Sequence, residues 1–245
     1  MSYSETNLIR TRDCDMWGRW KPSAMMEAMQ EVAISHCDTV GLGRSVTDGL
    51  GVVWVLSRCR VELKRQPLFG EKYTMKTYAL PTKHLFFPRA HVIFDAAGKV
   101  IGGAHGLWLL MDMATRRIVK NDYVSERLPV EADDPGVKAP GTVRALPATP
   151  VEGCLTPQFT EFDLNGHVNN TKYMDWCWNA LGFDGLKERE IAWFDVNYDR
   201  EILPGEEVRT ELCREEDALT FCGFAGGSRC FGISVALRRC EEADA

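Results

Sequence analysis

Within five residues the chain sets a carboxylate, a carboxamide and an imidazole around a glycine, in the order Asp163-Leu164-Asn165-Gly166-His167. A carboxylate takes up a proton, an imidazole holds or passes one near neutral pH, and a carboxamide orients a water or a carbonyl by donating and accepting at once. Val168-Asn169-Asn170 follows, and the stretch from about 168 to 181 reads as a helix. Asparagine is a favoured N-cap, and a helix start offers unpaired N–H groups and the positive end of a dipole. Acid–base groups would then stand beside a site for a developing oxyanion. Taken singly, each residue fits an Asp/Asn/Gly turn leading into a capped helix. The run as a whole asks for more.

The elements that must position this run can be followed along the chain. Residues 5–13 read as a short strand. A helix follows Pro22, with Ser23 as N-cap, and its apolar residues Ala24, Met25, Met26, Ala28, Met29, Val32, Ala33 and Ile34 lie nearly all the way round, the pattern of a helix buried on most sides. Strands rich in β-branched and aromatic residues follow at 52–61, 72–78, 86–94 and 100–111, separated by turn residues. Six of the eleven prolines then fall within 121–157 and hydrophobic periodicity disappears, as in a linker. Beyond it the first pattern returns, with a strand near 158–162, the helix at 168–181, and strands near 190–202, 206–214, 218–225 and 229–238.

The return is visible residue by residue. Val61, Arg65, Leu68, Gly70 and Glu71 align without a gap on Val196, Arg200, Leu203, Gly205 and Glu206, and Asp15 and Gly18 align on Asp163 and Gly166. The chain is therefore a duplicated strand–helix–meander unit, which predicts an α+β fold with a sheet wrapped around a helix in each half. The shared glycines read as turn positions with unusual backbone angles. Where the second copy has Asn165, His167 and Glu201, the first has Trp17, Arg19 and Gln66. Only one copy carries the full polar set.

Composition narrows the class. The 245 residues carry a net charge of −6, which argues against general nucleic-acid binding. Docking of an acidic protein would need a local basic patch, and Lys64-Arg65 and Arg116-Arg117 are the candidates. Nine cysteines without a C-x-x-C pair read as reduced, mostly buried thiols of a cytoplasmic protein, with no membrane span and no transit segment expected. Five scattered histidines form no zinc spacing, so neither a metal nor another cofactor is expected.

A long helix wrapped by an antiparallel sheet, twice in one chain, resembles a tandem (double) hot-dog fold, and the residues resemble the acyl-ACP thioesterase family of plant plastids and bacteria. Three stretches carry this: the run from Asp163 to Trp176, the segment Tyr198-Asp199-Arg200-Glu201, and Trp108-Leu109-Leu110-Met111-Asp112 continuing through Thr115-Arg116-Arg117. Gln30-Glu31 with Ala33 and His36 is similar to the family's first helix. The resemblance implies a first hot-dog over 1–120 for acyl binding, a proline-rich linker over 121–157, and a second hot-dog over 158–245 carrying a catalytic set of Asp163, Asn165, His167 and Glu201. It also implies hydrolysis of the thioester to an acyl carrier protein bearing a phosphopantetheine-linked chain, by a monomer or homodimer. Plant members have a cysteine after the glutamate where this chain has Ile202, so a cysteine nucleophile is not carried over. Met25, Met26, Met29 and Trp54 are candidate walls of an acyl tunnel in the first copy. An acyl-CoA thioesterase of the 4-hydroxybenzoyl-CoA type, a non-catalytic acyl-binding protein and a hot-dog dehydratase are the competing readings.

Overall fold

The computed structural model describes residues 1–240. In chain order its elements are β1 (Tyr3–Leu8), α1 (Pro22–Thr39), α2 (Arg44–Gly49), β2 (Val52–Leu63), β3 (Lys72–Ala79), β4 (Phe87–Asp95), β5 (Val100–Asp112), β6 (Ile118–Val119), α3 (Asp122–Arg127), β7 (Val151–Leu155), α4 (Lys172–Leu186), β8 (Arg189–Tyr198), β9 (Val208–Arg214), β10 (Ala218–Ala225) and β11 (Ser228–Arg239). One antiparallel sheet runs β1-β3-β4-β5-β2-β8-β11-β10-β9-β7, with β6 paired to β5. Read outward from the β2–β8 seam, the two halves list equivalent strands in the same order. At the seam Arg60 lies opposite Asp195 and Glu62 opposite Trp193. This is the tandem hot-dog, joined into a continuous sheet by its middle strands.

The duplication extends to single hydrogen bonds. In each half an aspartate folds the chain into the same loop: Trp17 and Asn165 donate their amides to Asp15 and Asp163 Oδ1, at 2.9 and 2.8 Å. Gly18 and Gly166 take φ of 75° and 78° in these loops, a region that a Cβ disfavours. Trp20 and Val168 leave the loops by donating to the carbonyls of Pro67 and Ile202. In the turns after β2 and β8, Glu71 and Glu206 accept from Leu68 N and Leu203 N, each at 2.8 Å, and pair with Arg65 and Arg200.

Several boundaries differ from the sequence reading. The first strand ends at Leu8, and residues 11–13 form a 3₁₀ turn. The strand expected near 158–162 is also a 3₁₀ turn, at Phe159–Glu161, because Glu161 turns back to accept from Gln158 N at 2.6 Å. The edge strand lies upstream instead: β7 pairs with β9 inside the proline-rich tract, which also holds the helix α3. Ser23 does not cap α1; Pro22 starts the helix, and Ser23 Oγ donates to Asp175 of α4. α4 begins at Lys172, four residues later than expected, because Asn169 Oδ1 takes Thr171 N (3.0 Å) and holds the preceding residues in a turn. Its regular run stops at Gly182 (φ 70°, ψ −177°), beside the expected end.

The two interiors are filled unequally. The second half packs Phe194, Phe221 and Phe231 against Tyr173 and Trp176 of α4. A Cβ on Gly223 would lie 2.0 Å from the Phe231 ring, so that ring uses the space the glycine leaves. In the first half, the matching central strand β5 carries Gly102, Gly103, Ala104 and Gly106 instead of large side chains. All nine cysteines are free thiols, five of them buried.

Candidate active site

Asp163, Asn165 and His167 are brought together by their own loop. Asp163 Oδ1 accepts the Asn165 amide, while Oδ2 lies 3.4 Å from Asn165 Nδ2 and 3.7 Å from His167 Nδ1. His167 Nδ1 is also 3.3 Å from the Val168 carbonyl. A carbonyl only accepts, so Nδ1 carries a proton in this arrangement.

Glu201 comes from the turn after β8, because that strand ends at Tyr198 and not at residue 202 as the sequence suggested. Its neighbour Ile202 accepts from Val168 N at 3.0 Å, which ties the turn to the candidate loop. Glu201 pairs with none of the other three candidate residues. Its partner is Arg116, from the turn between β5 and β6 in the first half. That turn is shaped by Asp112, whose Oδ1 accepts Ala114 N, Thr115 N and Thr115 Oγ1, and it holds Arg116 at a φ of 58°. Sequence reasoning placed Arg116-Arg117 among cations for an acidic partner; Arg116 instead grips the candidate glutamate. Arg65 is likewise engaged, by both oxygens of Glu71.

A second ring of residues fixes the start of α4. Tyr198 Oη donates to the Asn170 carbonyl at 2.6 Å and meets the Tyr173 ring edge-on at 5.4 Å. Trp176 Nε1 donates to Glu161 at 2.7 Å. Burial drives the Tyr173 hydroxyl well above its ordinary pKa, with the acidic groups around it adding to the effect. Tyr173 thus stays neutral beside two carboxylates. Tyr173, Trp176 and Tyr198 lie within the stretches that carry the family resemblance, but their supporting contacts, and the part played by Glu161, were not legible in the sequence.

Asn170 and Thr171 line a narrow, partly open cleft that they share with α1 and the sheet of the first half. Met26, Met29, Leu56 and Trp108 form its apolar walls, with Gly106 leaving room beside Trp108. Two of the four candidate tunnel residues are therefore walls. Met25 is buried core, and Trp54 packs edge-on against Phe87 at 5.0 Å outside the cleft.

The equivalent place in the other half is a recess lined by Arg19, Gln66 and Trp178, with Arg19 and Gln66 tied into its walls. Arg19, which stands where the second copy has His167, lies 3.8 Å from Asp15 as His167 lies 3.7 Å from Asp163. Its guanidinium then continues across the interface to donate to the carbonyls of Leu186 (2.9 Å) and Lys187 (3.0 Å) and to that of Arg189, closing the end of α4. Gln66, in the place of Glu201, donates to the Trp20 carbonyl at 2.8 Å and accepts from Ile191 N. The duplicate loop has become a brace.

The family model of the acyl-ACP thioesterase N-terminal domain matches residues 1–126, and that of the acyl-ACP thioesterase C-terminal domain matches residues 147–224. The chain belongs to the acyl-ACP thioesterase family. Among curated relatives of this chain, a chloroplastic acyl-[acyl-carrier-protein] hydrolase of Cuphea viscosissima is 24% identical over 217 residues, covering 82% of this chain and 52% of the relative. The oleoyl-acyl carrier protein thioesterase of Coriandrum sativum is 26% identical over 238 residues, covering 89% and 64%. The chain thus spans about half to two thirds of the length of these relatives. The crystal structure of an acyl-ACP thioesterase from Bacteroides thetaiotaomicron superposes with a TM-score of 0.88 at 22% identity, covering 97% of this chain and 98% of the other. The 12:0-ACP thioesterase of Umbellularia californica gives 0.85 at 22% identity, covering 98% of each. At these identities the structures establish a shared fold.

Proposed function

We propose that this protein hydrolyses fatty acyl thioesters of acyl carrier protein and releases the free fatty acid. The observation that carries the reading is one intact polar loop, Asp163 to His167, followed three residues on by Asn170 and Thr171, which line one mostly apolar cleft. The carrier is suggested by the curated relatives, which are named as acyl-carrier-protein hydrolases. In this reading the first half holds the chain and the second performs the chemistry.

The two carboxylates divide the work by their commitments. Asp163 is occupied within its loop, accepting from Asn165 and facing His167, which suits an orienting role. Glu201 comes from outside the loop and is steadied by Arg116, which leaves it to take a proton from water as the oxygen adds to the thioester carbonyl. Asn165 orients the water or the substrate. The Thr171 amide is already held by Asn169, so the Asn170 amide is the donor we assign to the oxyanion. When the C–S bond breaks, the thiolate takes up the proton that Glu201 received from water, while His167 holds Asp163 in place.

Hydrolysis of matched acyl-ACP and acyl-CoA series, with fatty acid quantified by mass spectrometry, tests this. Glu201→Gln should lower kcat on acyl-ACP by about 10²- to 10⁴-fold while acyl-ACP binding persists. Unchanged turnover in that variant would remove Glu201 from the mechanism, and turnover of CoA esters alone would refute the carrier assignment.

A further inference from the structure

His91 on β4 faces α1 from within the cleft and is 3% exposed. Its Nε2 lies 3.1 Å from the carbonyl of Met29, itself a wall residue. Because that oxygen can only accept, Nε2 bears the hydrogen. Burial, reinforced by the Arg89 guanidinium, lowers the imidazole pKa to about 3, so the ring is neutral and Nδ1 is a bare acceptor. Nδ1 is buried and has no hydrogen-bond partner among the described residues. A buried acceptor without a donor costs free energy, and in a wall of methionine, leucine and tryptophan side chains it is out of keeping with a chain of plain methylenes.

The neighbouring cation does not answer it. Arg89 donates to His36 Nδ1 at 3.0 Å, to Thr77 Oγ1 at 3.2 Å and to Cys37 Sγ at 3.4 Å. What the site lacks is a neutral donor arriving with the ligand. We propose that His91 is a specificity-determining residue of the acyl cleft, its Nδ1 accepting the O–H of a hydroxyl group carried by the acyl chain. A carboxylate could not supply that proton, and an unsubstituted chain leaves the nitrogen unpaired. The proposal rests on the reading of the protein as an acyl thioesterase.

The test compares acyl-ACPs of one chain length that are saturated or hydroxylated at carbon 3, at mid-chain or at the terminus, for wild type, His91→Leu and His91→Asn. The readout is the ratio of kcat/KM for hydroxylated over saturated substrate within each protein, which cancels a general loss of activity. Wild type should favour one hydroxyl isomer by about two- to tenfold, the worth of one neutral hydrogen bond. His91→Leu should bring that ratio to one or below, and His91→Asn, whose Oδ1 falls near the place of Nδ1, should restore part of it. Ratios near one for every isomer in wild type, or a preference that survives His91→Leu, would overturn the proposal. If no acyl-ACP is hydrolysed, the hydrolase reading fails, and calorimetric binding of hydroxylated and plain fatty acids decides the hydroxyl preference on its own. A preference lost in His91→Leu would uphold it; equal binding would refute it.

Discussion

Gly106 gives the sharpest test of whether the cleft in the first half holds the acyl chain. A Cβ built on it would sit 3.2 Å from Trp108 Nε1 and 3.5 Å from Leu56 Cδ1, between two walls of the cleft and against no backbone atom among its nearest neighbours. Gly106→Ala therefore asks Trp108 to yield by a few tenths of an ångström and otherwise takes up room that substrate would use. One methylene removed from apolar contact is worth about 0.8 kcal/mol, or about fourfold in kcat/KM. The alanine variant should lose about fourfold on the longest accepted chains and nothing on short ones. Gly106→Val, with three added carbons, should lose about sixtyfold by the same rule and move the optimum to shorter chains. The assay is fatty-acid release from an acyl-ACP length series. Gly103→Ala serves as the contrast, since its Cβ would lie 2.6 Å from the His91 carbonyl oxygen. It should lower Tm and depress all chain lengths alike. A uniform loss across lengths for Gly106→Val, with Tm unchanged, would refute the idea that the chain passes this glycine.

Arg116→Ala should cost little stability, within about 1 kcal/mol for a pair this exposed, yet lower kcat by about 10- to 100-fold because Glu201 loses its only charged anchor among the described residues; Arg116→Lys should recover part, and unchanged kcat would show that Glu201 needs no such anchor. At the seam, Arg60 Nη1 lies 2.7 Å from Asp195 with both side chains largely buried, so Arg60→Met should cost about 3–5 kcal/mol in denaturant unfolding. Burial already holds the Asp195 carboxyl above its ordinary pKa while Arg60 opposes the shift, so removing Arg60 raises it further. The stability tied to such a group is present at low pH and is lost as pH rises through the folded value, so the deficit of Arg60→Met relative to wild type should shrink on acidification. His36 and His91 behave in the opposite sense: burial lowers them to about 4 and about 3, so their contribution is present above their unfolded value and is lost as pH falls. Wild type should lose stability between about pH 6.5 and 4, with a slope approaching about 1.4 kcal/mol per unit for each histidine, and His36→Gln/His91→Leu should flatten that profile.

The duplication and the fold were legible because they are written in glycines, alternation and matched turn residues, which act locally. Gly70 and Gly205, with φ of 83° and 86°, do the same work in both turns, and the Val61-to-Glu71 match marked that equivalence. Asp163, Asn165 and His167 were legible as a group because one loop of five residues makes their contacts. The partner of Glu201 was not, since Arg116 is 85 positions away and its arrival depends on how the β5–β6 turn meets the second half. The missed edge strand β7 has a different cause. Its residues are mostly exposed and show no apolar alternation, so only pairing with β9 makes it a strand. The late start of α4 reflects a competition: Asn169 satisfies a backbone amide in a turn before the helix can begin.

The brace made by Arg19 bears on how such a molecule can evolve. In a homodimer related by a twofold axis, every substitution appears in both subunits, so one copy of a catalytic loop cannot be given to structure without losing the other. Fusing the two units in one chain removes that constraint. Arg19 ties the end of α4 to the start of β8 with three carbonyl contacts, a bond set that a histidine cannot make. Once made, the exchange is hard to reverse: placing a histidine there would uncover the end of the helix that follows the candidate loop. The loss of symmetry is thereby locked in by the fold.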